Sequence, residues 1–382
     1  MLSCKQLLIC LALISACSFS ACRKTPAPAG QTPTSPPVIN QQYQYPQGGI
    51  TPASDPKYFK GSIGSTLGLQ MKLVREGDRL SGTYFYQKVG TRIEVRGTID
   101  KDGNVVIEEF DPKGAKTGVF TGLWKLDADG LIEIAGNWNK PDSDKKTAFS
   151  VHEEPIAFTG DVDLAPKQIK ENNKKLMYEI DARYPQLAGG SNPNFEKFNQ
   201  VARGFVAKKV AEFKKDMAPE EDEEPRPEGS MGSDLNVSYE VALAQDDLIS
   251  ISYSVGSYYQ GAAHPNTFSE VVNYDLKNGR QLKLADLFKP GAKYLQAIAN
   301  YCIADLKKQA KDKGLLEDEI QNGAAANAKN YRSWTITRKG LGINFDAYQV
   351  GPYAAGPQYV LVPYSSLKEL INPEGPVGQF AK

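Results

Sequence analysis

The stretch Ser257-Tyr-Tyr-Gln-Gly-Ala-Ala-His-Pro-Asn-Thr-Phe268 decides how the second half of the chain is read. Leu248-Ile-Ser-Ile-Ser-Tyr-Ser-Val255 leads into it and Glu270-Val-Val-Asn-Tyr-Asp-Leu276 leads out. Both runs are rich in β-branched and aromatic residues, which argues two strands joined across a loop. The loop carries Tyr258, Tyr259 and His264, one of only 2 histidines in the chain, around a Gly-Ala-Ala segment that leaves backbone open. Its expected companion is Phe345-Asp-Ala-Tyr-Gln-Val-Gly-Pro-Tyr-Ala-Ala-Gly-Pro-Gln-Tyr-Val-Leu-Val-Pro-Tyr364, which sets Tyr348 and Tyr353 among glycines and prolines.

Upstream, Asn236–Ala244 and the turn at Gln245-Asp-Asp form a hairpin with Leu248–Val255. Leu176–Tyr184 reads as a strand broken by Pro185 and Gly189-Gly190. Asn192 then caps a helix with Pro193 at its first position. Phe195, Phe198, Ala202, Phe205, Val206, Val210, Phe213 and Met217 recur at helical spacing and should pack on a sheet. The opposite face carries Lys197, Arg203, Lys208, Lys209 and Lys214 and reads as solvated. Ala218 to Ser233, with its run of glutamates and prolines, reads as an acidic loop. Downstream, Asn278-Gly279 is a turn signal and Leu282–Phe288 a short helical segment. Leu295, Ile298, Ala299, Cys302, Ile303 and Leu306 mark a second amphipathic helix. Residues 315–330 are weakly helical, and Ser333–Thr337, Leu341–Phe345 and Tyr359–Val362 read as strands before a short helix at Ser365–Ile371. The expectation is an α+β domain over residues 165–382, with an antiparallel sheet and two main helices.

Residues 57–155 have a different rhythm. Strand-length runs at Leu67–Arg75, Arg79–Gln87, Thr91–Ile99, Val105–Phe110, Thr117–Leu126, Leu131–Asn139 and Lys146–His152 alternate with Gly- and Asp-rich turns. A Gly-x-apolar unit recurs at Gly61/Ile63, Gly82/Tyr84, Gly97/Ile99, Gly122/Trp124 and Gly136/Trp138. Glycine within a strand permits a sharp bend or a close backbone approach. Seven or eight short strands in succession predict an all-β meander closing into a small barrel or sandwich. Asp100-Lys-Asp-Gly-Asn104 resembles a calcium loop, but its glycine comes too early and it reads as a hairpin turn. Trp124 and Trp138 read as core or barrel plug, with a ligand mouth as the alternative.

The first 16 residues have Lys5 in a short polar start and an apolar run, Leu7-Leu-Ile-Cys-Leu-Ala-Leu-Ile14. That run is too short for a bilayer core of about 30 Å and reads as a signal segment. Ile14-Ser-Ala-Cys17 resembles the bacterial lipobox, with Phe19-Ser-Ala-Cys22 as a weaker second copy. Cys17 is therefore the expected lipidation site, with Cys22 as the alternative, and the membrane is a partner through this N-terminal lipid. Ser18 after Cys17 is not the Asp that holds lipoproteins on the inner membrane, which favours the outer one in a two-membrane bacterium. Residues 17–56, rich in proline, form a tether that buries no core.

Lys plus Arg and Asp plus Glu are 45 each, so no basic excess exists to neutralise phosphates and nucleic acid is not an expected partner. Four of the 5 cysteines fall in the first 22 residues, which is no disulfide framework, and Cys302 reads as a small core residue. His152 and His264 lie in different modules, so no metal or other cofactor is expected. No nucleophile elbow, phosphate loop or dinucleotide fingerprint is present.

Gly261-Ala-Ala-His-Pro265 after a strand, Asn273-Tyr-Asp-Leu-Lys-Asn-Gly279 ahead of Leu284-Ala-Asp-Leu-Phe288, and Phe345-x-x-Tyr348-x-x-Gly-Pro-Tyr353-Ala-x-Gly356 resemble one family. It is the domain of unknown function shared by RsiV-type anti-sigma factors and the extracytoplasmic part of PdaC-type peptidoglycan deacetylases. The resemblance covers about residues 170–372. For the RsiV-type proteins it implies lysozyme binding at the envelope. It brings neither a sigma-binding segment nor a deacetylase domain, so those activities are not expected here.

The residues therefore point to a lipid-anchored bacterial envelope protein that acts by binding. Tyr258, Tyr259, His264, Tyr348 and Tyr353 are the candidate contacts, because tyrosine joins apolar area to a polar tip. Lysozyme-like muramidase or peptidoglycan is the expected partner. Two rival classes stay open: an envelope hydrolase using His264 as base, and an architectural lipoprotein that contacts neighbouring envelope proteins.

Overall fold

Eight strands follow one another from residue 57 in the computed structural model, which describes residues 56–86, 91–127, 130–160, 162–217 and 232–382. They are β1 (Lys57–Ile63), β2 (Leu67–Glu76), β3 (Arg79–Tyr86), β4 (Ile93–Ile99), β5 (Asn104–Phe110), β6 (Lys116–Leu126), β7 (Ile132–Asn139) and β8 (Thr147–Glu154). Each pairs antiparallel with the next, and β1 also pairs with β8, so the meander closes into a barrel. The recurring glycines explain the closure. A side chain at Gly61 would place its Cβ 1.9 Å from the Ser150 carbonyl oxygen, and one at Gly136 would lie 2.1 Å from that of Thr121. Phe59, Leu69, Tyr84, Phe120, Phe149 and Val151 fill the interior. Trp124 is buried against Phe59, while half-buried Trp138 donates from Nε1 to Glu109 Oε2 at 3.3 Å. The Asp100 segment is a hairpin turn, with Asp100 Oδ1 accepting the Asp102 and Asn104 amides at 2.9 Å each.

The second domain is built on a seven-stranded sheet. Its strands are β9 (Ile156–Ala157), β10 (Val162–Asn173), β11 (Tyr178–Gly189), β12 (Ser233–Gln245), β13 (Leu248–Tyr258), β14 (Asn266–Asp275) and β15 (Arg280–Gln281). The sheet is not purely antiparallel as expected: β11 and β9 both run parallel to β12. The reason is the helix α1 (Asn194–Asp216), which carries the chain from the end of β11 back to the start of β12 as a crossover. Nor does Pro185 break β11. It lies opposite Pro166 of β10, and β12 pairs only with residues 178–182 of β11, so no neighbour needs an amide at either proline.

The helix α1 buries Phe195, Phe198, Ala202, Val206, Val210 and Phe213 against one face of this sheet, together with Ile249, Ile251 and Tyr253 of β13. Asn192 Oδ1 accepts the Asn194 amide at 2.9 Å and so caps its start. The other face meets a separate three-stranded sheet, β16 (Trp334–Ile336), β17 (Gly340–Phe345) and β18 (Gln358–Pro363). Behind it lie α2 (Tyr294–Lys313) and α3 (Glu317–Gly323). Cys302 is fully buried there, its thiol pushed up to about 12 by burial. A buried polar clamp ties the two sheets together. Ser250 Oγ donates to Asn273 Oδ1 at 2.6 Å and accepts the Ile336 amide at 2.9 Å, while Asn273 Nδ2 donates to the Trp334 carbonyl at 2.8 Å.

Among the described residues no helix is long and apolar enough to cross a membrane. The signal segment 1–16, Cys17, Cys22, the tether to residue 55 and most of the acidic loop (218–231) lie outside the described residues.

Candidate binding site at the edge of the second domain

Strand β13 runs on through Tyr258 and β14 begins at Asn266, so the connecting loop is only Tyr259–Pro265. The loop after β17 comes up beside it. The His264 ring stacks on Tyr353, with centroids 4.3 Å apart and planes at 29°. Tyr348 sits 5.4 Å from Tyr353 on the side of that pair. The Pro265 carbonyl accepts from both loops: His264 Nδ1 at 2.9 Å and the Tyr353 hydroxyl at 3.1 Å. The carbonyl can only accept, so Nδ1 carries the proton and Nε2 is left to solvent. His264 is exposed, Tyr353 is 39% exposed and Tyr348 67%. Tyr348 also holds a left-handed backbone at φ 68°. That conformation is unfavourable for a bulky side chain.

The structure thus brings His264, Tyr348 and Tyr353 together. It does not bring the paired tyrosines to them. Tyr259 turns toward the end of α1, where its ring lies 5.6 Å from that of Phe213 and its hydroxyl donates to Asp216 Oδ2 at 3.0 Å. Burial, helped by Asp216, pushes its hydroxyl up to about 12. Tyr258 is the last residue of β13, paired opposite Asp234, and no ring contact joins it to the His264 stack. The strand alternation that points Ser257 and Tyr258 to opposite faces also separates neighbouring tyrosines.

Three residues that the sequence reading passed over complete the edge. Asp346 is buried, and its Oδ1 accepts the Ser269 amide of β14 at 2.8 Å. Its Oδ2 accepts from Arg332 Nη2 at 2.9 Å. Gln349 fixes the same turn by donating from Nε2 to the carbonyls of Asn330 at 2.9 Å and Gly323 at 3.1 Å. A groove of 540 Å³ opens beside them, lined by Asn266–Val271, Arg332, Asp346 and Ala347. Among the described residues no serine or carboxylate hydrogen-bonds to the His264 ring. Among the described residues no group of three or more His, Cys, Asp or Glu is placed to hold a metal ion.

Two family models match this chain, one on each side of the edge. Residues 171–267, which hold His264, match "Deacetylase PdaC", and residues 285–365, which hold Tyr348 and Tyr353, match "Protein of unknown function (DUF3298)". The chain carries a DUF3298/PdaC-type domain. The other motif residues of this domain prove structural: Asn273 clamps the two sheets, Asp275 accepts the Asn278 amide at 2.8 Å, and Asp286 Oδ2 accepts the Lys283 amide at 2.8 Å. A curated relative, Peptidoglycan-N-acetylmuramic acid deacetylase PdaC of Bacillus subtilis (strain 168), is 26% identical over 213 residues. The match covers 56% of this chain and 42% of that protein, so the chain spans less than half the length of the relative. A DUF3298-family crystal structure from Bacteroides fragilis NCTC 9343 aligns at 20% identity with a TM-score of 0.44, over 59% of this chain and 98% of that one. A second, from Pseudomonas aeruginosa PAO1, aligns at 16% identity with a TM-score of 0.37, over 55% and 95%.

Proposed function

We propose that the protein is a lipid-anchored component of the bacterial cell envelope that binds peptidoglycan, without transforming it, on the His264–Tyr348–Tyr353 surface. The observation that carries this reading is the outward-facing aromatic surface itself. Two loops separated by about 80 residues of chain are locked together through the Pro265 carbonyl, yet they leave Tyr348 two-thirds exposed. Stacked rings with polar tips offer sugars an apolar face and hydrogen-bonding groups at once. The strained backbone of Tyr348 supports a role in binding, since strain concentrates at functional sites. The PdaC relative, whose name gives peptidoglycan as its substrate, makes that polymer the first ligand to try.

The test is co-sedimentation of the full chain with purified peptidoglycan, beside a pull-down on lysozyme. Retention on peptidoglycan supports the reading. Capture by lysozyme with no retention on peptidoglycan replaces the glycan with a muramidase as ligand. The anchor is read from the lipobox-like Ile14-Ser-Ala-Cys17. Metabolic labelling with a clickable fatty acid should mark the protein, and Cys17→Ala should abolish the label. A label lost in Cys22→Ala instead moves the anchor to Cys22.

A further inference from the structure

One end of the barrel has the chemistry of a cation site. Val105, Ile107 and Glu109 alternate inward along β5, so a carboxylate follows two aliphatic residues into the barrel. Glu109 is only 4% exposed. Its Oε2 accepts from the Tyr84 hydroxyl and from Trp138 Nε1, and the Tyr86 hydroxyl lies 3.1 Å from that of Tyr84. All of these donors are neutral. Among the described residues no cation pairs with Glu109: Lys116 is taken by Glu108 at 2.9 Å and Arg96 by Glu94 at 2.8 Å. Nor does any described donor meet Glu109 Oε1, which is not sealed from solvent.

The opposite end of the barrel supplies the contrast. There Glu153 also turns inward, but it holds Lys57 Nζ at 2.7 Å and accepts the Ile132 amide at 3.0 Å. A buried carboxylate is costly without such a partner. The mouth at the Glu109 end is also built to receive one. Tyr86, Ile93 and Trp138 are the half-buried hydrophobics on the barrel core, and all three lie at this end, above an interior that Phe120 and Phe149 fill. The strand register shifts between Glu109 and Phe110, a bulge of the kind found at barrel rims and beside functional sites. Gly118 keeps the space open: a Cβ there would lie 2.5 Å from Glu109 Oε1 and 2.6 Å from Trp138 Nε1.

We infer that this mouth binds a primary alkylammonium group, with its N–H donors on Glu109 Oε1 and its aliphatic chain against the Tyr86, Ile93 and Trp138 rim. Ring faces and a carboxylate together attract an organic ammonium. A lone carboxylate among rings lacks the 6 or so oxygen ligands that a calcium or magnesium ion takes. The site shares no residue with the His264–Tyr348–Tyr353 surface and does not rest on the peptidoglycan reading.

The experiment is titration of the full chain with hexylammonium and with hexanol, the same chain without the charge, followed by calorimetry and by the indole N–H signal of Trp138. Hexylammonium should saturate one site, shift that signal and bind at least about tenfold more tightly than hexanol. Glu109→Gln keeps an oxygen for Tyr84 and Trp138 and should bring hexylammonium down to the hexanol level. Should the variant misfold, the unaltered protein decides the matter: the Trp138 signal should move with hexylammonium and stay with hexanol. Nα-acetyl-lysine amide is the third probe. Affinity equal to that of hexylammonium makes a lysine side chain the occupant, and weaker affinity makes it a free alkylamine. Equal binding of hexylammonium and hexanol, no binding by either amine, or unchanged hexylammonium affinity in a folded Glu109→Gln variant overturns the site.

Discussion

At the residue scale, Tyr348 combines an exposed ring with a left-handed backbone. Its side chain is exposed and its φ of 68° is one that glycine adopts freely, so folding alone gives no reason for a tyrosine there. Tyr348→Gly should therefore stabilise the protein by about 1 kcal/mol in urea unfolding, while weakening peptidoglycan binding. A glycine variant that is both less stable and fully competent in binding would show that the ring serves the fold. His264 plays a different part. Its Nδ1 donates to the Pro265 carbonyl within its own loop, while its ring stacks on Tyr353, whose hydroxyl donates to the same carbonyl and ties the second loop to the first. The aromatic character of this edge was legible in the sequence, because tyrosines and a rare histidine stood among glycines and prolines. The roles of Asp346 and Arg332 were not. Each is an ordinary charged residue, and they meet across 14 positions only once β16 and β17 have paired.

Strands and helices with strong local periodicity were read correctly at the scale of elements, and those defined by distant partners were not. The α1 stripe and the hairpins β2–β3 and β12–β13 each carry their own pattern. Lys57–Ile63 carries too little pattern of its own, and becomes a strand by pairing with both β2 and β8. β10 is an edge strand studded with Lys167, Lys170 and Glu171, a composition that guards an edge but hides the strand. Lys209 was expected on a solvated face, yet it lies over the Phe268 ring at 5.2 Å and pairs with Glu270 of β14. Barrel closure offers a direct test. Gly61→Ala would force a methyl into the Ser150 carbonyl and should cost about 3 kcal/mol, whereas Gly77→Ala, at a turn with open space and φ 63°, should cost only about 1. Equal losses in denaturant midpoint would show that close strand approach is not what seals β1 to β8.

The barrel and the second domain meet, at the scale of the whole molecule, across a charged junction. The Tyr58 hydroxyl donates to the Val162 carbonyl at 2.7 Å, and Lys72 and Arg92 each pair with Asp163 at 2.7 Å. Glu154 at the end of β8 lies in the same junction, near Gln70 of β2 and facing Tyr239 and Glu240 of β12. Burial and the Glu240 charge push its carboxyl up to about 6, against the opposing pull of Lys60. A carboxyl raised in the folded state binds more protons folded than unfolded between about pH 4.5 and 6. Its contribution is therefore full below that range and is lost as pH rises through 6, to a total of at most about 2 kcal/mol. Glu154→Gln should flatten this part of the stability–pH curve. A slope that survives in the variant would assign it to another group.

Recognition of peptidoglycan by the rings of one exposed edge is the proposal on which the functional reading rests. The most direct measurement is titration of the full chain, and of a Tyr348→Ala/Tyr353→Ala double variant, with soluble peptidoglycan glycan fragments, with folding checked by thermal unfolding. Saturable binding by the unaltered protein and a loss of about tenfold or more in the folded variant are expected. Equal affinity in the two proteins would contradict the proposal.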